Sequence, residues 1–416
     1  MACAPASAQV KPYRAAIDRI LASPAFKAAD AALAADHARI VDEGIKLTEI
    51  PAPPFKEELR AKAFAQMLRD AGLADVRIDE EGNVTGVRKG SKGDGKYVVV
   101  SAHMDTVFPI ETDVHVKRQG TKLMAPGIGD DSMSLAVLLG YLRAMKIANV
   151  HTNDDLLFVG TVGEEGPGDL RGVRYLFTKG PYKGLIKSFF SLESGRVNSI
   201  TSAGVGSKRY RVTFHGPGGH SYGAFGLVNP MFALGHASEE FGRIQVPAKP
   251  RTTYSIGVIG GGTSVNSIPV SAWMEVDMRS ESMVELKRVE ERLQAIAKDA
   301  AEHENQARST KEGKISVEVK LIGDRPAAGT DPQSDMVQYA SASVEAGGYV
   351  PALEISSTDS NMAMSLGIPA ITIRRMAPGH DGRSHSLDEW VDVEKGPMVK
   401  AMAISLATIL AVAGME

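Results

Sequence analysis

Tyr97-Val-Val-Val-Ser-Ala-His-Met-Asp105 reads as a buried strand that ends in two functional side chains. The apolar, β-branched run suits a strand covered on both faces. His103 and Asp105 are two residues apart, so on an extended chain they point to the same side. There a carboxylate accepts a proton from one imidazole nitrogen and leaves the other as a lone-pair donor to a metal ion. An isolated His-x-Asp is more often a hydrogen-bonded pair at a strand end. Its weight here comes from recurrence along the chain: an apolar run, then an acid or a histidine.

Working outward, residues 156–162 form a second apolar run followed by Glu164-Glu165, and residues 187–192 a third followed by Glu193. Between the first two runs, residues 132–148 carry an apolar helical stripe (Leu135, Leu138, Leu139, Leu142, Met145) just after Asp130-Asp131, which places those acids at a helix start. A helix is expected over 169–179. Strands alternating with helices predict a mostly parallel, doubly wound α/β sheet. Ligands bind beyond the carboxyl ends of such strands, the end where His103, Glu164, Glu165 and Glu193 fall.

The pattern changes near Gly206. Strands over 207–215, 252–259, 272–278 and 315–322 and helices over 229–244 and 283–304 give the order β-α-β-β-α-β of a ferredoxin-like sandwich. That unit is self-contained, so residues 207–325 are expected to be an inserted domain. The catalytic domain then takes 10–206, with an Ala-rich helical extension before residue 49, and 326–416. The second part is expected to hold a helix over 335–346, a strand near 370–373, a Gly-rich loop to His385 and a buried closing helix over 401–415.

Composition narrows the classes. A chain of 416 residues with 43% hydrophobic and 23% charged residues has the make-up of a two-domain globular protein. A formal net charge of −3 gives no electrostatic reason to expect nucleic acid or an anionic membrane. No run reaches the roughly 18 apolar residues of a membrane span. Cys3 is the single cysteine, so any metal is held by His, Asp and Glu. Residues 1–9 contain Ala6-Ser7-Ala8, the small-x-small form of a signal-peptidase site, and read as the remnant of a secretory signal. That predicts a periplasmic or secreted protein, and a cytoplasmic one otherwise.

Five candidate ligands result: His103, Asp130, Glu165, Glu193 and His385. Imidazole and oxygen donors without thiolate suit Zn, with Mn or Co as alternatives, in a catalytic site. Five residues are too many for one open tetrahedral ion. If Asp130 bridges, each of two ions gains three ligands, one through His103 and Glu193, the other through Glu165 and His385; Asp131 is the alternative bridge. Water between two such ions becomes a hydroxide nucleophile near neutral pH. Neighbouring side chains on an extended segment diverge, so Glu165 can coordinate while Glu164 stays free as general base. An isolated Glu-Glu is usually a solvated turn, but here Gly163 and Gly166-Pro-Gly168 bracket it. His115, His151, His215 and His236 have no partner motif, and His380 is the rival of His385.

His103-Met-Asp105, Gly129-Asp-Asp131, Gly163-Glu-Glu165, Glu193, Gly218-Gly-His220 and Ser384-His385 together resemble the dizinc exopeptidase and aminoacylase family of metallopeptidases, whose members include tripeptide aminopeptidase, glutamate carboxypeptidase and succinyl-diaminopimelate desuccinylase. The resemblance runs from about Ile50 to the C-terminus in the same motif order. It implies Asp130 as the bridge, Glu164 as the base and Asp105 as the orienting partner of His103. It also implies that the inserted domain serves as lid and homodimer interface. From there His220 reaches the partner's active site and stabilises the oxyanion, and Asn266 and Arg279 contact substrate. Arg279 is physically suited to clamp a carboxylate, and Arg325 is a further substrate contact.

The chain departs from the family at Ser132-Met133-Ser134, in place of Lys-Gly-Gly, and at Ser356-Ser357-Thr358-Asp359, in place of Gly-Gly-Thr-Asp. Both changes alter the pocket wall. The reading is therefore a dinuclear metallohydrolase acting as an exopeptidase on short peptides. The alternatives are an N-acyl amino acid amidohydrolase and a non-catalytic binding relative.

Overall fold

The computed structural model describes residues 11–380 and 382–415; the signal-remnant expectation for residues 1–9 lies outside them. The chain divides into two compact units, one taking the chain up to Gly204 and from Gly329 onward, the other Val205–Ala328.

The first unit is built on a sheet whose four central strands are parallel, in the order Asp155–Thr161, Tyr97–His103, Ile186–Arg196, Ala370–Met376. Val84–Arg88 adds antiparallel at one side. Ser199–Gly204, which follows Ile186–Arg196 after a short turn, adds antiparallel at the other. Alternate residues of the central strands enter different apolar clusters. Val98, Val100, Ala102, Phe158 and Phe190 join the main core, whereas Phe189 packs on Phe177 of helix Arg171–Thr178 with ring centroids 5.5 Å apart. Both sides of the sheet are thus covered, as the unbroken apolar runs require.

Helix Met133–Ile147 differs from the expected single stripe. Every residue from Met133 to Met145 is buried, because helix Pro24–Thr48 of the Ala-rich extension packs over its outer side. Gly140 permits that approach: a Cβ there would lie 2.5 Å from Ile40 Cδ1. The polar residues in this contact are paired. Arg143 binds both oxygens of Glu43 at 3.1 and 2.9 Å and Asp36 at 2.6 Å, the fork geometry that suits guanidinium to a buried carboxylate. The closing helix begins at Lys395 rather than 401 and runs to Val412. By length and composition it could cross a membrane, but it is mostly buried within the unit.

A small antiparallel sheet, in the order Gly382–Arg383, Trp390–Asp392, Lys122–Met124, Lys117–Gln119, holds the loop that carries His385. These strands are two or three residues long, mostly polar and distant in sequence, which is why no period announces them.

The second unit has four antiparallel strands in the order Thr252–Gly261, Ser271–Ser280, Gly206–His215, Ser316–Arg325. Helices Pro230–Phe241 and Met283–Ala307 complete the ferredoxin-like arrangement. Val212, Phe214, Met274, Val276, Leu286, Val289 and Leu293 form its own core.

Candidate metal centre

Strand Tyr97–His103 delivers His103 to the carboxyl edge of the parallel sheet. Its Nε2 lies 2.9 Å from Oδ1 of Asp130. The other oxygen of Asp130 lies 3.3 Å from Nε2 of His385, and that nitrogen is 2.8 Å from Oε1 of Glu165. His103, Asp130 and Glu165 offer ligand atoms that all lie within 4.8 Å of one another. Asp130 therefore faces both imidazoles, whereas Asp131 turns away: its Oδ2 accepts the backbone N–H of His103 at 3.2 Å.

Asp130 and Asp131 occupy an irregular turn, Ile128–Ser132, with non-helical dihedrals, and the peptide between them is cis. Two groups that sequence reading missed hold the turn. Glu389 accepts the N–H groups of Gly129 and Asp130 at 2.8 and 3.0 Å. Arg375, fully buried, donates to Ser134 Oγ at 2.8 Å and to the carbonyl of Gly129. Ser134 belongs to the Ser-Met-Ser segment noted above, so that segment anchors the turn through its hydroxyl.

Glu164 and Glu165 follow strand Asp155–Thr161 in a glycine-bracketed turn. Gly163 takes φ +67°, and a Cβ at Gly168 would lie 2.4 Å from Gly163 Cα, so the turn closes only with glycine there. Asp105 pins it, accepting from the backbone N–H of Glu164 at 2.9 Å and of Glu165 at 2.7 Å. Nδ1 of His103 meets the Asp105 backbone carbonyl at 3.0 Å and is 3.6 Å from its carboxylate. Asp105 thus meets the imidazole through its carbonyl and has its carboxylate beside the ring, while that carboxylate also holds the Glu-Glu turn.

Glu193, near the end of strand Ile186–Arg196, is buried beside Ser191 Oγ and Arg374 Nη1, each at 3.3 Å. Arg374 is fixed independently by Ser194 O at 2.7 Å and Thr201 Oγ1 at 3.0 Å.

The electrostatics are those of an acid-rich site. Burial alone would push His103 down, but its aspartate partners outweigh it and hold it well above its ordinary value. Hydrogen bonds with Asp130 and Glu165 push His385 up to about 11. Burial would raise Asp130, yet the two imidazoles hold it well below the usual carboxylate range. Burial raises Asp131 well above that range, and its Oδ1 has no hydrogen-bond partner. Burial also pushes Asp359 and Glu389 up to about 7. Imidazole nitrogens and carboxylate oxygens crowded within hydrogen-bonding distance form a donor set suited to divalent cations, and Asp130 has one oxygen for each of two.

A cleft of about 630 Å³ is lined by Pro109, Glu111, His115, Lys117, Met124, Pro126 and Leu387 among others. Its walls are the segments that follow Asp105, precede Asp130 and follow His385.

In the second unit the candidates separate into two pairs. His220 and Asn266 meet across a short ladder: His220 pairs with Ser267, and Ser221 N donates to Asn266 O at 2.9 Å. His220 is exposed, and its Nδ1 accepts the N–H groups of Tyr222 and Gly223 at 3.2 and 3.3 Å. Its Nε2 therefore carries the hydrogen when the ring is neutral. Arg279 and Arg325 flank Ser207 on the two neighbouring strands. Arg279 is paired with Asp277 at 2.7 Å, and Arg325 is buried. His215, at the His220 end, is eight residues along the strand from Ser207, a span of about 26 Å at the rise of a strand. Of the histidines set aside, His115 is exposed and paired with Asp113, and His380 is paired with Asp392 and Glu394.

The sequence profile of the group described as peptidase family M20/M25/M40 matches residues 99–411. A protein of Pyrococcus abyssi (strain GE5 / Orsay) named as a LysW-lysine/LysW-ornithine hydrolase is 32% identical over 184 residues, 42% of this chain and 48% of that protein. The chain thus spans about half the length of this curated relative. Among solved structures, aminopeptidase PepT from Bacillus cereus ATCC 10987 has a TM-score of 0.71 at 22% identity, covering 91% of this chain and 99% of that one. The di-peptidase Dug1p from Saccharomyces cerevisiae has a TM-score of 0.72 at 13% identity, covering 93% and 98%. The Bacillus subtilis YXEP protein, described as a dinuclear metal-binding peptidase, has a TM-score of 0.64 at 19% identity, covering 91% and 99%. At these identities the likeness is one of fold.

Proposed function

This chain belongs to peptidase family M20/M25/M40 and is a metal-dependent hydrolase; we propose that it is a dinuclear exopeptidase cleaving the amide bond of short peptides. The observation that carries the reading is the position of Asp130 between His103 and His385, with one carboxylate oxygen toward each. His103, Glu193 and Asp130 would hold one divalent cation, Zn first, and Glu165, His385 and Asp130 the other. When bound, such a pair polarises the scissile carbonyl and acidifies a water.

The chain's own groups supply the rest. Glu164, set by Asp105 through the backbone and adjacent to a ligand, takes the water proton and returns it to the leaving amine. His220, whose Nδ1 is engaged as an acceptor, offers its Nε2–H as a donor of the kind that stabilises a developing oxyanion. The span of about 26 Å between the His220 and Arg279 ends of the sheet supports a homodimer. In such a dimer His220 and Asn266 would serve the partner's site. Arg279 would bind the substrate carboxylate after exchanging Asp277 for it. The cleft beside Leu387 has room for a substrate side chain.

The test is Glu164→Ala. Turnover is expected to fall on the order of 10²–10⁴-fold while metal content is retained; unchanged turnover would remove the base assignment. A panel of di- and tripeptides against N-acyl amino acids separates the exopeptidase from an N-acyl amidohydrolase, the reading toward which the name of the Pyrococcus relative points.

A further inference from the structure

Away from Asp130, a second set of donors converges where strand Trp390–Asp392 runs into helix Lys395–Val412. Nδ1 of His380 lies 3.2 Å from Oδ2 of Asp392 and 3.4 Å from Oε2 of Glu394. The ligand atoms of these three residues all fall within 4.8 Å of one another.

The backbone builds this convergence. Asp392 and Glu394 are two apart on an extended segment and so share a side. Val393 between them is tied to Thr121 O at 2.9 Å, and Glu394 N donates to Oδ1 of Asp392 at 3.0 Å. That bond engages Oδ1 and leaves Oδ2 toward His380. Opposite, His380 N donates to Ala377 O at 3.0 Å, closing the turn that presents the ring.

A simple ion pair does not account for the arrangement. One ring nitrogen donates one hydrogen bond, yet two carboxylates face it. Among the described residues neither Asp392 nor Glu394 is paired with a lysine or arginine; His380 is their common partner. The group stays net negative whether the ring is charged or neutral, and a divalent cation would cancel that excess. One imidazole nitrogen and two carboxylate oxygens, with water completing the coordination, suit Zn, Mn or Co.

We propose that His380, Asp392 and Glu394 bind a divalent cation of their own, separate from the pair assigned to Asp130. His380 stands five positions before His385 in the same loop. The cation ties that loop to the start of the last helix and so holds the segment from which His385 reaches Glu165.

The experiment uses the full chain, stripped by chelator and reloaded with Zn²⁺ alone, with metal per chain counted by plasma mass spectrometry after gel filtration. His380→Ala and Glu394→Gln are each expected to hold one equivalent fewer than the wild type. Asp130→Ala is expected to keep the equivalent that His380→Ala loses, so this site and the dinuclear centre succeed or fail separately. Hydrogen exchange over residues 377–380 is expected to be faster in zinc-loaded His380→Ala than in the loaded wild type. Glu394 is half-exposed, so Glu394→Gln preserves the fold and isolates the charge. Equal zinc uptake by the wild type and both variants, with superposed titration curves, would overturn the proposal.

Discussion

Nε2 of His103 lies 2.9 Å from Oδ1 of Asp130, across 27 residues of chain, and this contact leaves Oδ2 of Asp130 for the second imidazole. A carboxylate so placed serves two cations at once. Asp130→Ala is expected to lose both equivalents from the centre, whereas His103→Ala and His385→Ala each weaken one. Asp131→Asn is expected to retain both, because Asp131 faces the backbone of His103. Metal counts after dialysis check the series.

Asp105 holds the turn that carries both the proposed base and a ligand. Each of its oxygens accepts one backbone N–H, from Glu164 and Glu165. Asp105→Asn turns one acceptor into a donor facing a donor, which costs about 1–3 kcal/mol for the buried group left unpaired. The melting temperature and kcat are both expected to fall. An unchanged melting temperature, read by calorimetry, would count against this role.

Arg60 makes a comparable contribution from behind the site. It is fully buried and donates to the carbonyls of Met104 at 2.7 Å, Ile50 at 2.6 Å and Thr48 at 3.3 Å. Arg60→Met fills most of the volume but leaves three carbonyls without their donor. Destabilisation of at least about 3 kcal/mol is expected, measurable by urea unfolding; Arg60→Lys should recover part of it.

Asp359 gives a pH signature. Burial raises it to about 7, while in the unfolded chain it titrates near 4. Between those values the folded protein binds a proton that the unfolded chain does not. This stabilising contribution is full below about pH 4 and is lost as pH rises through about 7. Asparagine mimics the protonated form and can still accept from Thr161 Oγ1, now 2.6 Å from Oδ2. In metal-free protein, the melting temperature of Asp359→Asn minus that of the wild type is expected to grow from pH 5 to pH 8. A constant offset would contradict the assignment.

The legible parts of this chain were those with a period or a local signature. The run 97–103 is a strand over that span, and the alternation of 207–215 lies within strand Gly206–His215. Of the five ligands singled out by spacing, His103, Asp130, Glu165 and His385 have side chains that meet, and Glu193 is buried beside Arg374. What stayed hidden was long-range. Glu389, Arg374 and Arg375 support the centre in roles no motif announces, and their partners lie 173 to 260 residues away. Asp105 was found, but its hold on the Glu164-Glu165 turn was not, since nothing in the spacing says which backbone donors a carboxylate meets.

The most direct measurement is anomalous diffraction at the zinc edge from crystals of the zinc-loaded protein. Two peaks are expected on either side of the Asp130 carboxylate, one beside His103 and Glu193 and one beside Glu165 and His385. A single peak there, or two peaks that share no oxygen of Asp130, would contradict the dinuclear centre.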